Sequence, residues 1–371
     1  MRILVLSPIA SHPQNQGNSA RIAAICRQFQ LLGHVVHFMY YPLEGLSPRQ
    51  ADVMSASWDH FHSIPCDLPN TSKTLGSFYA VDDWYDHRLG AAVRELHDKW
   101  NFDIVWVNYV WFSAALDSLP DTVYKIIDTH DVFGDRHLRF LEIGLEPEWF
   151  YTTVEQEYIG LTRANLVVAI QDEEADYFRS ALADSQTEVI TIGHITPPRF
   201  IEKAAATAVP VVGYLGSGNP FNVSSMQSFS AELALNCETA VNYHFKIAGT
   251  ICEKISTLPP FDIIGKIDNI DDFYGSVDIV INPMNSGTGL KIKTLEALSY
   301  GVAFIGTVSA FVGIPIKQKI ASISSPHPLI QLFPSGSTYL SSDDARITFI
   351  SYITEQASNL KALLVRIEHN E

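Results

Sequence analysis

Residues 278–307 read DIVINPMNSGTGLKIKTLEALSYGVAFIGT, and they predict a strand, a loop, a helix and a second strand. The run DIVINPM (278–284) has the apolar composition of a strand that is buried on both faces of a parallel sheet. A loop of small residues separates it from a segment in which apolar residues recur at helical spacing. AFIGT (303–307) is the next strand. Strand and helix alternating in this way are typical of an α/β protein with a parallel sheet.

The same alternation extends in both directions from this stretch. Toward the N-terminus, strands are predicted over 2–8, 34–42, 103–108, 124–130, 165–170 and 187–193, with helices over 18–33 and 88–100. Closer to the opening stretch, strands are predicted over 211–218, 245–250 and 261–265, with helices over 223–235 and 269–277. Prolines and small residues in HITPPRFIEKAAATAVP (194–210) interrupt the pattern and are typical of a linker. We therefore predict an α/β chain with two Rossmann-like, doubly wound parallel-sheet domains.

Composition excludes several classes of protein. The 371 residues carry a formal net charge of −16, which argues against a nucleic-acid partner and against a polybasic membrane surface. The four cysteines form no C-x-x-C pair, so we interpret them as reduced thiols rather than as zinc ligands or disulfides. The sequence has no apolar run of 18 residues, and its short apolar start is typical of a strand. We expect a cytoplasmic protein, with peripheral contact at the inner membrane face as the alternative.

The loop and helix after residue 284 have the chemistry of an anion site. In open α/β sheets, ligands bind beyond the carboxyl ends of the strands. A helix beginning near Leu290 would direct free N–H groups toward that edge. Lys291 and Lys293 add positive charge, and Glu296 lies one turn beyond Lys293 on the same face. Phosphate on the lysine and a ribose diol on the carboxylate describe a nucleoside diphosphate. From spacing alone, a capped surface helix with an ordinary Lys–Glu pair fits equally well.

A second candidate site is DTHDVFGDRH (128–137), which follows a predicted strand of the first half. His130 and Asp131 are the candidate catalytic residues, because side chains at such a strand end face the expected ligand crevice, where a general base could reach a substrate hydroxyl. Two alternatives stay open at this point: His130 caps the following segment, or it bonds to Asp128.

Several stretches resemble GT-B glycosyltransferases, particularly the family 4 proteins (glycosyl transferases group 1). GTGLKIKTLEALSYGVAFIGT (287–307) is similar to their donor-site signature and is the most specific part of the resemblance. The remaining similarity is patchy but keeps its order along the chain. It comprises PQNQGNSARIAAICRQFQLLGHVV (13–36), TRANLVVAIQDEEADYF (162–178), GYLGSGNPFNVSSMQSF (213–229) and IIGKIDNIDDFYGSVDIVINPM (263–284).

The resemblance implies a role for individual residues. Lys293 should bind the donor diphosphate and Glu296 the ribose hydroxyls. Further donor contacts are expected from Lys291, Thr288, Gly289, Leu290, Lys266 and Ile267, the last two beside the base. Gly17 and Asn18 should line the cleft near the acceptor, and His130 resembles a histidine that faces the transferred sugar or the acceptor. Two departures are visible: Thr288 stands where the family commonly has a glutamate, and the loop GSGNPFN (216–222) lacks a basic residue.

The resemblance also implies a domain arrangement and an activity. We expect an acceptor-binding domain over 1–195, a linker over 196–210, a nucleotide-sugar-binding domain over 211–343 and a C-terminal helix over 344–371 that packs on the first domain. The implied enzyme is a retaining, metal-independent hexosyltransferase that needs no cofactor and uses a nucleotide sugar and a carbohydrate acceptor, free or lipid-linked. Polysaccharide or glycoconjugate synthesis is the expected context. A non-catalytic sugar-nucleotide-binding partner of another transferase and a nucleotide-sugar epimerase are the alternatives.

Overall fold

The protein is represented by a computed structural model that describes residues 1–14, 16–67, 72–142, 144, 146–202, 209–285, 289–316 and 327–369. The chain divides into two compact units. Unit 1 comprises Met1–Ile195 and Gln356–Glu371, and unit 2 comprises Thr196–Glu355. Part of the predicted linker, residues 203–208, lies outside the described residues.

Unit 1 is built on a parallel sheet of seven strands in the order β3-β2-β1-β4-β5-β6-β7. The strands are β1 (Arg2–Ser7), β2 (Val35–Tyr40), β3 (His60–Ser63), β4 (Ile104–Asn108), β5 (Tyr124–Asp128), β6 (Leu166–Ala169) and β7 (Glu188–Thr191). The α-helices are α1 (Gly17–Leu31), α2 (Pro48–Ser57), α3 (Arg88–Trp100), α4 (Arg136–Glu142), α5 (Val154–Leu161) and α6 (Asp172–Ala181), and a 3-10 helix covers Val110–Ser118.

The core of unit 1 follows from the apolar runs of the sequence. Five of the six residues of β1 are buried, as are all five of β4, which is expected of central strands covered on both faces. Helix α1 covers this sheet with an apolar side that includes Ile22, Ile25 and Phe29. The ring of Phe29 meets that of Trp106 on β4 edge-on, with 5.3 Å between the centroids.

Several elements of unit 1 were not predicted, among them β3 and α2. β3 has the sequence HFHS and lies at the sheet edge with no fully buried residue, so it lacks the apolar run of a central strand. α2 is a short helix whose sequence signal is its N-terminal cap, because it lacks a stripe of apolar residues. Ser47 caps it by accepting from the backbone N–H of Gln50, and Pro48 occupies its first position.

Unit 2 contains a sheet of six strands in the order β10-β9-β8-β11-β12-β13, in which β13 alone is antiparallel to its neighbour. The strands are β8 (Val211–Leu215), β9 (His244–Ala248), β10 (Phe261–Gly265), β11 (Ile279–Asn282), β12 (Ala303–Gly306) and β13 (Thr338–Leu340). The α-helices are α7 (Pro220–Leu235), α8 (Cys237–Ala240), α9 (Ile270–Gly275) and α10 (Ile292–Ser299).

The strand order of each sheet reverses direction at one point. In unit 1 the reversal lies between β1 and β4, and in unit 2 between β8 and β11. Loops that leave neighbouring strands at such a point diverge to opposite faces, which opens a crevice at the carboxyl ends of the strands. Each unit therefore has one topologically favoured place for a ligand.

A single long helix, α11 (Ser342–Glu368), ends the described chain. Its residues up to Glu355 belong to unit 2 and those from Gln356 to unit 1. Within unit 1 its apolar residues Leu360, Leu363 and Leu364 join the hydrophobic core. The sequence predicted a C-terminal helix from residue 344, and the structure has one that begins at Ser342. Among the described residues, no helix is both long and apolar enough to cross a membrane.

Candidate functional site

The candidate site of unit 2 lies where its strand order reverses, after β11 and at the start of α10. The helix begins at Ile292, not near Leu290 as predicted, because Lys291 has the non-helical backbone angles φ −82° and ψ 80°. Leu290 is buried, and Gly289 adopts the left-handed conformation with φ +68°. Thr288, the expected contact to the donor sugar, lies outside the described residues.

Lys293 extends from the first turn of α10 to β8. Its Nζ donates a hydrogen bond to the hydroxyl of Tyr214 at 3.0 Å and lies 5.2 Å from the centroid of that ring. Burial among protein atoms lowers the pKa of the Lys293 ammonium to about 7; Glu296 opposes this shift and Lys291 adds to it. A phosphate bound beside this amine would restore its charge.

Glu296 lies one turn further along α10 and accepts a hydrogen bond from the hydroxyl of Tyr274 at 2.7 Å. Burial raises the pKa of its carboxyl, while Tyr274, Arg199 and Lys293 act in the opposite direction. Tyr274 stacks on Tyr300 with 4.2 Å between ring centroids, and Arg199 donates to the Tyr300 hydroxyl at 3.0 Å. The carboxylate of Glu296 is therefore held by Tyr274, which itself stacks on Tyr300.

The other predicted donor residues are placed differently. Lys291 is buried, and its Nζ donates to the carbonyl oxygen of Gly289 at 2.7 Å, so its charge stabilises the loop backbone. Lys266 is exposed and Ile267 half-buried directly after β10. β10 is the edge strand of the sheet, two strands from the strand β8 that Lys293 contacts.

The candidate site of unit 1 is centred on His130, which follows β5 and has a left-handed backbone with φ +62°. Its Nε2 lies 2.8 Å from Oδ1 of Asn108 at the end of β4. Asn108 directs its amide nitrogen to the carbonyl oxygen of Leu6 at 3.0 Å, so its oxygen must accept the imidazole proton. The remaining nitrogen, Nδ1, then carries a lone pair. Burial lowers the pKa of His130 to about 4, although Asp128 opposes the shift.

Asp128 bonds to Arg21 rather than to His130, whose Nε2 is 3.9 Å away. Arg21 donates to both carboxylate oxygens at 2.8–3.2 Å and to the carbonyl oxygens of Ile192 and Gly193 at 2.8 Å. Both side chains of the ion pair are fully buried. The sequence contained a signal that Arg21 is buried, because it lies on the apolar side of α1, but it contained no signal for the partner.

Tyr109 contacts two of the predicted residues of unit 1, His130 and Asn18. Its ring stacks on that of His130 at 4.3 Å, and its hydroxyl accepts from the side-chain amide of Asn18 at 3.1 Å. Gly17 is the first residue of α1, beside Asn18. Asp131 accepts from the backbone N–H of Val132 at 2.9 Å and lies 3.5 Å from the Arg136 guanidinium.

One further acid supports this loop and was not predicted. Glu157 on α5 accepts from the backbone N–H of Phe133 at 2.7 Å and from the hydroxyl of Tyr177 at 3.1 Å. Burial raises the pKa of its carboxyl to about 7. Within the described residues, no group of three or more histidine, cysteine, aspartate or glutamate side chains is arranged to hold a metal ion.

Comparison with known proteins bears on both units. Residues 209–318 match the family model of the glycosyl transferases group 1. No curated protein sequence matches the chain. Among solved structures, a sucrose-phosphate synthase from Thermosynechococcus elongatus has a TM-score of 0.69 at 13% identity and covers 100% of both chains.

Two further structures have similar folds. The pneumococcal O-GlcNAc transferase GtfA, in complex with UDP and GlcNAc, has a TM-score of 0.64 at 10% identity over 100% of this chain and 99% of its own. Anabaena HepE, in complex with UDP and glucose, has a TM-score of 0.55 at 12% identity over 100% and 98%. The predicted two-domain α/β architecture is confirmed: the chain has the GT-B fold, and its residues 209–318 are similar to the glycosyl transferases group 1 family.

Proposed function

We propose that this protein is a glycosyltransferase that moves a sugar from a nucleotide-sugar donor to a carbohydrate acceptor. The observation that carries the proposal is the pairing of Lys293 and Glu296 on one helix at the reversal point of the unit 2 sheet, inside the segment that matches the family. GtfA and HepE are named as complexes with UDP, which supports a nucleoside diphosphate as the leaving group here.

In the proposed reaction, the bond between the anomeric carbon and the β-phosphate oxygen breaks as the acceptor oxygen attacks. Lys293 stabilises the negative charge that develops on the departing diphosphate, and Glu296 orients the ribose. The proton of the acceptor hydroxyl passes to a departing phosphate oxygen, which is consistent with retention of configuration. This scheme uses the lysine and backbone N–H groups for charge stabilisation, as expected of a metal-independent transferase.

For His130 we propose a role other than the general base that the sequence predicted. With a pKa near 4 it is a weak base at neutral pH, and its protonated nitrogen already bonds to Asn108. We propose that Nδ1 accepts a hydrogen bond from a sugar hydroxyl and so binds rather than deprotonates. Asn18 and Tyr109 lie beside it and would contact the same sugar.

The first experiment is thermal unfolding of the wild type and Lys293→Ala with UDP, GDP, ADP and dTDP and their glucose conjugates. A ligand at 100 times its dissociation constant stabilises the folded protein by about 2.7 kcal/mol. We expect the nucleotides of one base to raise the unfolding temperature of the wild type but not that of Lys293→Ala. The control is Lys361→Ala, which changes an exposed lysine of α11 and should respond as the wild type does. Absence of any shift in the wild type would refute the donor site.

A second measurement separates a transferase from a binding partner of another transferase. Slow release of nucleoside diphosphate from the selected nucleotide sugar, without an acceptor, supports group transfer. Tight binding with no release supports a non-catalytic partner. Conversion of the bound sugar to its epimer would instead identify an epimerase. The rate of sugar transfer is then compared between hexose acceptors and lipid-linked oligosaccharide acceptors. This comparison also tests whether the enzyme acts in polysaccharide or glycoconjugate synthesis, as expected.

A further inference from the structure

We propose that Tyr214 is the positioning residue of the donor lysine, and that diphosphate binding at Lys293 is coupled to the uptake of one proton from solvent. The proposal rests on the function proposed above and concerns the same site. It adds a residue of β8 to that site and predicts a pH dependence of donor binding.

Tyr214 is a fixed partner for the amine. The residue is 2% exposed, and its ring lies against the turn after β8, where a Cβ added at Gly216 would be 2.5 Å from the ring edge. The aromatic ring is therefore buried against this turn. Burial raises the pKa of the phenol, so the hydroxyl stays neutral and its oxygen accepts from Lys293.

The geometry leaves the amine able to bind a second partner. An ammonium group has three N–H donors, and the bond to the Tyr214 hydroxyl uses one of them. The ring of Tyr214 lies under the same nitrogen at 5.2 Å, which favours the cationic form through its π face. Tyr214 thus fixes where the nitrogen lies while two donors remain for phosphate oxygens.

The groups around Lys293 determine how its charge depends on pH. Glu296 on the same helix favours the charged amine, whereas Lys291 and burial disfavour it, and Tyr214 supplies a neutral dipole. With a pKa of about 7, most of the amine is neutral at pH 8. A bound diphosphate returns the pKa toward that of an ordinary lysine, so the amine takes up most of one proton per ligand at this pH.

The test is calorimetric titration of the wild type with UDP at pH 8, in two buffers that differ in ionisation enthalpy. If the thermal panel selects another base, that nucleoside diphosphate is the probe. At this pH the terminal phosphate is already ionised, so the ligand itself releases no proton. We expect the wild type to take up most of one proton per bound ligand. Lys293→Arg should bind with none, because the guanidinium is charged at all these pH values.

The role of Tyr214 is tested with Tyr214→Phe, which keeps the ring and removes the hydroxyl. Loss of a hydrogen bond to a charged group should weaken UDP binding about tenfold or more. Tyr243→Phe, which removes a half-buried hydroxyl elsewhere in unit 2, should bind UDP as the wild type does. The unfolding temperature of both variants without ligand establishes that they are folded.

The outcomes separate this inference from the proposed function. Binding by the wild type without proton uptake overturns the coupling, and binding by Tyr214→Phe at wild-type affinity overturns the positioning role. In both cases the donor site itself stands. If the wild type binds none of the nucleoside diphosphates, the proposed function fails, and this inference with it.

Discussion

The buried ion pair of Arg21 and Asp128 provides a direct test of how unit 1 is held together. Arg21→Met removes all donors to a carboxylate that has no exposure to solvent, and it leaves the carbonyl oxygens of Ile192 and Gly193 without this partner. Breaking a buried pair by removing one member costs about 3–5 kcal/mol, because the remaining charge is uncompensated. For a unit of roughly 200 residues, this corresponds to a decrease of about 6–20 °C in the unfolding temperature.

Tryptophan fluorescence measures this change selectively. All six tryptophans of the chain lie within residues 1–195, so the signal reports the unfolding of unit 1 and not that of unit 2. Urea denaturation of the wild type, Arg21→Met and Arg27→Met is compared at pH 7.5. Arg27 is an exposed arginine on the same helix, and its substitution should change the free energy of unfolding by less than about 0.5 kcal/mol.

Two results would refute the reasoning. Arg21→Met with the same denaturation midpoint as Arg27→Met would show that the pair contributes no stability. The double variant Arg21→Met/Asp128→Leu should be more stable than Arg21→Met alone, because it removes the unpaired charge. A double variant whose loss equals the sum of the two single losses would show that the side chains are not coupled.

Two further perturbations have definite expected outcomes. His37 is fully buried beside two other histidines, and burial lowers its pKa to about 4, below the value of about 6.5 in an unfolded chain. The free energy of unfolding should therefore fall as the pH decreases from about 6.5 to about 4. Urea titrations at a series of pH values measure this pH dependence, and His37→Leu should reduce it. An unchanged pH dependence in His37→Leu would exclude His37 as its source. Gly249 has φ +99°, and an added Cβ would lie 2.3 Å from a facing carbonyl oxygen, so Gly249→Ala should cost at least about 1–3 kcal/mol. Circular dichroism melting compares it with Gly275→Ala, where no atom lies within 4 Å, and equal melting temperatures would contradict the clash.

Local patterns were sufficient for the architecture and for part of the site. Parallel strands buried on both faces read as apolar runs, so all but two of the thirteen described strands could be located. Some of the helices, such as α1, α3 and α7, followed from their spacing. The missing strands, β3 and β13, lie at sheet edges, where polar residues are tolerated. The proximity of Lys293 and Glu296 was also predictable, since residues three apart share a helix face.

Contacts between residues far apart in the sequence had no such signal. Arg21 and Asp128 are 107 positions apart, and Lys293 and Tyr214 are 79 apart. The sequence therefore could not show that His130 would bond to Asn108 instead of Asp128, or that Lys293 would bond to Tyr214.

By itself, then, the sequence determined the class of fold, the order of its elements and the segment that carries the donor chemistry, because each depends on periodicity over a few residues. Only the tertiary structure decided the protonation of the site. The pKa of Lys293 and that of His130 depend on how completely neighbouring strands bury them, and burial is a property of the packed sheet rather than of any local stretch.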